Sequence, residues 1–144
     1  SEMEVLKFID HPNIVRLIDA FEDERHVCFV MELMNGGELF DKILTLDSFG
    51  EEDARSGMKC LIDSIRYLHS MGIVHRDIKP ENLLIPSASP DSGFDFTQVK
   101  LADFGLARFF DVKDKEEDDD DDNETVFAST TCGTPGYIAP EILK

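Results

Sequence analysis

The chain has 144 residues, 42% of them hydrophobic, with 11 phenylalanines and a formal net charge of −17. That is enough apolar material for one domain with a core rather than a disordered chain, and the acidity argues against nucleic acid or an anionic membrane as partner while suiting cationic peptides. Three cysteines (Cys28, Cys60, Cys132) without a C-x-x-C spacing argue against a disulfide framework or zinc site and fit a reducing compartment, and no apolar run approaches the roughly 18 to 20 residues that span a bilayer.

The opening SEMEVLKFID carries no secretory signature. It starts in the middle of a helical pattern, so the expectation is a piece of a longer chain. Val5, Leu6 and Ile9 mark the tail of an amphipathic helix, stopped at His11-Pro12. Ile14–Phe21 and His26–Met31 are rich in Val, Ile and Phe and predict two strands around a Glu22–Arg25 turn. Asn35-Gly36-Gly37 breaks the chain after that pair, and Glu38–Leu44 suits a short helix. Glu51–Ser70 has the clearest helical period, with Ala54, Met58, Leu61, Ile62, Ile65 and Leu68 on one predicted inward face and Met71-Gly72 as its end. Further on, Leu83–Ile85 and Val99–Ala102 predict a short strand pair, separated by PSASPDSGFDF, whose Pro, Ser and Gly mark an exposed loop.

Between Asp111 and Glu124 stand ten acids against two lysines. Like charges at that density repel and leave little apolar area to bury, so solvated disorder is the expectation there. A sharper alternative is that run 116–122 mimics phosphate or competes for basic substrates. No internal repeat is found. The order of helix end, strands, helices and short strands predicts an α+β fold.

Three stretches carry chemistry together: HRDIKPEN at 75–82, ADFG at 102–105 and CGTPGYIAPE at 132–141. Singly, an Asp or Asn before the apolar run at 83–85 reads as a turn residue. As a set, they supply an anionic base, a point cation and hard oxygen ligands within a few residues. With these motifs the chain resembles the eukaryotic protein kinases of serine/threonine type. HPNIVRLIDAF, VMELMNGGELFD and GTPGYIAPEIL look like the calcium/calmodulin-dependent group within them.

The resemblance implies a partial kinase-like α+β fold running from the end of the αC helix to just past the APE motif. Residues 1–31 would be part of the N-lobe, 32–37 the hinge and 38–144 part of the C-lobe, with loop insertions near 86–97 and 111–128. It implies transfer of the γ-phosphate of ATP to protein Ser/Thr hydroxyls, with Asp77 as proton acceptor and Lys79 beside the transferring phosphate. Asn82 and Asp103 would hold Mg²⁺. Glu32 and Met34 would meet adenine through backbone groups, behind Met31 and above Leu84; taken singly, these apolar residues read equally as sheet core. Glu38 and Glu81 would meet ribose or a basic substrate residue upstream of the phosphoacceptor, although two solvated acids are an equal reading.

His75 would pack with Phe104, Leu6 and Leu17, and Gly105 completes the DFG turn. Arg76 would pair with a phosphorylated Thr130, with Ser129 and Thr131 as rivals, in an activation segment ending at Glu141. Glu2 matches the helix glutamate whose lysine partner is not among these residues; nor is a G-x-G-x-x-G loop. Two readings of different class follow: the middle of an active kinase, or a non-catalytic fragment acting as a binding or regulatory module. Expected surroundings are cytoplasmic, with the nucleus open. Calmodulin is expected to bind only through regions outside this chain.

Overall fold

The computed structural model describes residues 2–86, 95–110 and 132–143, with side chains from Val5 onward. Helix α1 (Glu2–Lys7) ends in tightened turns, Phe8 N–H donating to Val5 O and Ile9 N–H to Leu6 O. Pro12 then forbids further helix, having no N–H to give and restricting the residue before it. Val5, Leu6 and Ile9 point into the core, as their spacing predicts.

Strands β1 (Leu17–Glu22) and β2 (Val27–Met31) form an antiparallel hairpin with an irregularity between Leu17 and Asp19. Its turn is built by one side chain: Asp23 Oδ1 accepts from Arg25 N (2.7 Å) and His26 N (2.8 Å), the local competition for backbone donors that favours Asp in turns. These bonds hold the Asp23 carboxyl below its usual range.

A three-stranded antiparallel sheet follows, in the order β3 (Gly37–Glu38), β5 (Leu83–Ile85), β6 (Lys100–Leu101). Gly36 is required where the chain enters it. Its N–H donates to Ile85 O at 3.0 Å, and a Cβ there would meet the Ile85 side chain at 2.4 Å. Residues 13–15 run alongside β6 in parallel, with Leu101 N donating to Asn13 O and Val15 N to Leu101 O. A further pair, β4 (Ile73–Val74) with β7 (Arg108–Phe109), is too short to leave a periodic signal in sequence.

Helices α2 (Leu39–Leu44) and α3 (Glu51–Ser70) match their predicted spans. The inward face of α3 matches in part: Leu68 is buried and Leu61 packs against the core, as predicted. Its buried stripe is Gly57, Cys60, Ser64 and Leu68, while Met58 and Ile62 are 53% and 56% exposed. The reason is close approach. Cys60 Sγ donates to Thr97 O at 3.3 Å and Ser64 Oγ donates to Asn13 O at 2.9 Å, while a Cβ on Gly57 would only just touch the Phe96 ring, at 4.0 Å. Small, weakly polar residues admit backbone that Met and Ile would hold off.

Phe96 departs from the exposed-loop expectation for 86–96, of which residues 87–94 lie outside the described residues. It sits in the core on a 3₁₀ turn (Phe96–Gln98) capped by Asp95, against Phe49 at 5.2 Å between ring centroids. Around it the core joins Val5, Leu6, Ile14, Leu68, Ile73, Leu83, Leu101 and Phe104.

Candidate active site

The 75–82 stretch leaves β4 and folds over the end of the β5–β6 ladder. Leu83 pairs with Leu101, and one step on Ala102 N donates to Asn82 O at 2.9 Å. That register sets Asn82 and Asp103 at the same end of the sheet, although 21 positions separate them. Two non-glycine residues here hold left-handed backbone, Arg76 at φ 67° and Asp103 at φ 60°. Such conformations cost on the order of 1–3 kcal/mol each and persist where the surroundings over-determine them.

His75 is buried and sets the loop's floor. Its Nδ1 accepts from Asp77 N at 3.3 Å, which puts the ring proton on Nε2, donated to Ala102 O at 3.0 Å. The ring meets Phe104 edge-on at 4.9 Å. Burial pushes the imidazole below its usual pKa, outweighing the Ala102 bond that favours protonation. Of the expected stack, His75 and Phe104 are in contact, Phe104 and Leu6 belong to the same core cluster, and Leu17 packs against that cluster.

Asp77 is buried, and four donors converge on its carboxylate. Oδ1 accepts from Thr134 N (3.0 Å) and Thr134 Oγ1 (2.6 Å); Oδ2 accepts from Lys79 Nζ (2.9 Å) and Asn82 Nδ2 (3.2 Å). Asn82 Nδ2 also donates to Asp77 O at 2.9 Å. Burial alone would raise the Asp77 pKa, but these hydrogen bonds and the Lys79 charge win and hold it below the usual carboxylate range. Reciprocally, the Asp77 contact raises Lys79. The pair is therefore anion and cation at neutral pH.

Thr134 is the residue that sequence reading passed over as a site member. Its hydroxyl donates to Asp77 and accepts from Lys79 Nζ at 2.6 Å, 55 positions away. Gly133 makes this approach achievable: at φ 126°, a Cβ there would lie 3.1 Å from the Ile138 side chain and 3.3 Å from Arg76 O. The only advance sign was the Gly133-Thr134-Pro135 run itself.

Asn82 spends its amide nitrogen on Asp77, so its carbonyl oxygen is the atom left for a cation. Asp103 is exposed, and its Oδ1 accepts from Gly105 N at 3.2 Å. Both offer oxygen, the donor chemistry a hard divalent ion takes, and magnesium draws its other ligands from water and phosphate. Among the described residues no group of three or more His, Cys, Asp or Glu could hold a metal by itself.

Arg76 Nε donates to Leu106 O at 2.7 Å. Glu81, on the 3₁₀ turn Pro80–Asn82, has Oε1 3.5 Å from Tyr137 Oη, while its Oε2 is buried without a hydrogen-bond donor among the described residues. Glu38 is exposed on β3, paired with Leu84 on β5. Glu32 follows β2, and Met34 O accepts from Gly37 N at 3.4 Å. Glu141 is exposed on the last 3₁₀ turn, Pro140–Ile142. Thr130, its rivals Ser129 and Thr131, and the acidic run lie outside the described residues, as does the side chain of Glu2. A groove of about 470 Å³ between residues 11–13 and α3 is lined by none of the 75–82 residues. Among the described residues no helix is long and apolar enough to cross a membrane.

A sequence profile described as "Protein kinase domain" matches residues 1–144. The calcium/calmodulin-dependent protein kinase type IV of Mus musculus is 42% identical over 144 residues, covering 100% of this chain and 27% of that protein. Calcium/calmodulin-dependent protein kinase type 1 of Macrobrachium nipponense is 41% identical, covering 99% and 36%. Serine/threonine-protein kinase H1 of Homo sapiens is 45% identical, covering 99% and 30%. The chain thus spans between about a quarter and just over a third of these relatives' lengths.

Proposed function

The chain belongs to the protein kinase family, and on that premise we propose that its 75–82 and 102–105 stretches carry transfer of the γ-phosphate of ATP to Ser or Thr hydroxyls of protein substrates. One observation carries the reading: Lys79, Asn82 and Thr134, from two distant stretches, converge on a single ionised carboxylate, Asp77. Phosphoryl transfer asks mainly for positioning and charge neutralisation, and this is a fixed charge array.

Asp77 is the proton acceptor. Its four acceptor positions are in use, so a substrate hydroxyl reaches it by displacing a donor. The Thr134 hydroxyl is the donor that can rotate away, since Asn82 is buried. Lys79 then faces the transferring phosphate as a point cation held by Asp77 and Thr134. Asn82 and Asp103 would hold magnesium, which when bound neutralises the phosphate oxygens. The backbone of Glu32 and Met34 takes the adenine, with Leu84 beneath it.

Glu81 favours a basic residue upstream of the phosphoacceptor, aided by Glu38; a buried carboxylate oxygen without a donor is costly and a cationic side chain would relieve it. Arg76 would take a phosphate on Thr130. A cytoplasmic or nuclear setting suits these substrates, and calmodulin would act through regions beyond the chain.

The test uses the whole encoded protein. ATP·Mg binding is measured by calorimetry and transfer with a serine peptide bearing upstream arginine. Asp103→Ala is expected to abolish magnesium-dependent ATP binding. Asp77→Asn should retain it while transfer falls by about 10²- to 10⁴-fold. A wild type that does not bind ATP·Mg would overturn the reading.

A further inference from the structure

Glu32 and Lys100 meet across 68 positions of chain. Lys100 Nζ lies 2.8 Å from Glu32 Oε1 and 2.8 Å from Oε2, with the two side chains 18% and 27% exposed for Lys and Glu. The same Oε1 accepts from Arg16 N at 2.8 Å, and Glu32 N returns a bond to Arg16 O at 3.0 Å. One carboxylate therefore ties together the approach to β1, the segment after β2, and β6.

The far end of that tie matters more than the near one. Lys100 precedes Asp103 by three residues, and β6 is locked to β5 and, through Ala102, to Asn82. Residues 13–15 bond the other edge of β6. Lys100 is thus held on a strand with neighbours on both sides, whereas the 32–36 segment has fewer bonds of its own. A long lysine ordered against one carboxylate loses side-chain entropy, and taking the pair largely out of water costs solvation, so its net contribution to stability is small. Its effect is better spent on fixing geometry.

We propose that Lys100 is a positioning residue for the nucleotide: by gripping Glu32 it sets the backbone of residues 32–34 at a fixed distance from Asn82 and Asp103. This rests on the nucleotide reading above, in which the first stretch meets adenine and the second meets the magnesium-bound phosphates. Lys100 touches neither; it acts through Glu32.

ATP·Mg affinity, KM for ATP and kcat are measured for wild type, Lys100→Met, Lys100→Arg, the near-isosteric Glu32→Gln and the Lys100→Met/Glu32→Gln double variant. The single variants are expected to weaken ATP·Mg binding by roughly fivefold or more, and the double variant no further than either alone, because they break one interaction. KM should rise more than kcat falls, the mark of lost ground-state binding, and Lys100→Arg should restore most of the affinity. Glu32→Gln serves where Lys100→Met fails to fold. A purely structural pair would lower the unfolding temperature while leaving affinity unchanged well below it, and that result overturns the proposal while sparing the nucleotide reading. Additive losses overturn it too. A wild type without ATP·Mg affinity removes both.

Discussion

The β1–β2 hairpin and the 75–82 loop both carry charged residues in short stretches, yet they are held in opposite ways. The hairpin is made of neighbours: its ladder runs within 15 residues, its turn hangs on Asp23, and Ile18, Phe21, Val27 and Val30 stay exposed. The loop is made of distant partners. His75 reaches Ala102, Arg76 reaches Leu106, Asp77 reaches Thr134, and all of this rests on Phe104, 1% exposed. Local chemistry suffices to shape a ribbon, whereas a charge array needs a core beneath it and strands that meet in register.

The bluntest way to break the comparison is to remove one phenylalanine from each region. Phe104→Ala leaves a cavity under His75 and should cost about 3–5 kcal/mol. Phe21→Ala, at a position 58% exposed, should change stability by less than about 0.5 kcal/mol. Urea midpoints of the encoded protein would measure both. Equal losses would mean that the hairpin is buried by something beyond the described residues.

Thr134→Val sharpens the contrast within the site, since it keeps the shape and removes the hydroxyl shared by Asp77 and Lys79. The substrate displaces this hydroxyl from Asp77, but its bond from Lys79 is kept, and a hydrogen bond to a charged group contributes about 1.5–3 kcal/mol, so transfer should fall by roughly 10- to 100-fold. The fold should survive, because Thr134 N still donates to Asp77. Steady-state kinetics beside a circular dichroism melt would separate the two effects.

What the sequence made legible follows the same division. The hairpin, α2, α3 and the β5–β6 pair were readable because period and turn chemistry are local. Asp77, Lys79, Asn82 and Asp103 were readable as members of spaced motifs, and the register of β5 against β6 explains why such distant letters meet. Long-range contacts left no such trace. Nothing in the letters set Thr134 on Asp77, paired Glu32 with Lys100, or joined Ile73–Val74 to Arg108–Phe109. Two members of the predicted inward face of α3, Met58 and Ile62, were misjudged for a related reason. Hydrophobicity ranks Met58 and Ile62 above Cys60 and Ser64, but it is these small residues that bond the backbone packed on the helix, at Thr97 and Asn13.

Acid should find the loop before it finds the hairpin. The folded His75 titrates below the unfolded value of 6.5 because burial disfavours its charged form. Below pH 6.5 the unfolded chain binds a proton that the folded chain refuses, so stability present above that pH declines as the pH falls toward the folded pKa. Asp77, also lowered, adds a second loss at more acid pH, beneath its ordinary 3.8. Replacing His75 by Gln should remove its share of the first loss and leave the share of His11, which burial also lowers. Midpoints measured from pH 7.5 to 5 in wild type and His75→Gln would converge on the same slope if His75 were not the group.

The smallest expected effect belongs to the turn. Asp23→Ala deletes the acceptor for Arg25 N and His26 N, but both groups stand in water, which replaces the lost bonds. The opposite backbone contact, Asp23 N to His26 O at 2.9 Å, needs no side chain. Amide exchange at Arg25 and His26 should therefore quicken while the global unfolding midpoint stays put and protection around Asp77 is untouched. Lost protection at the 75–82 amides would mean that the hairpin turn is coupled to the site after all, and Glu32, bonded to Arg16 on one side and Lys100 on the other, is the route such coupling would take.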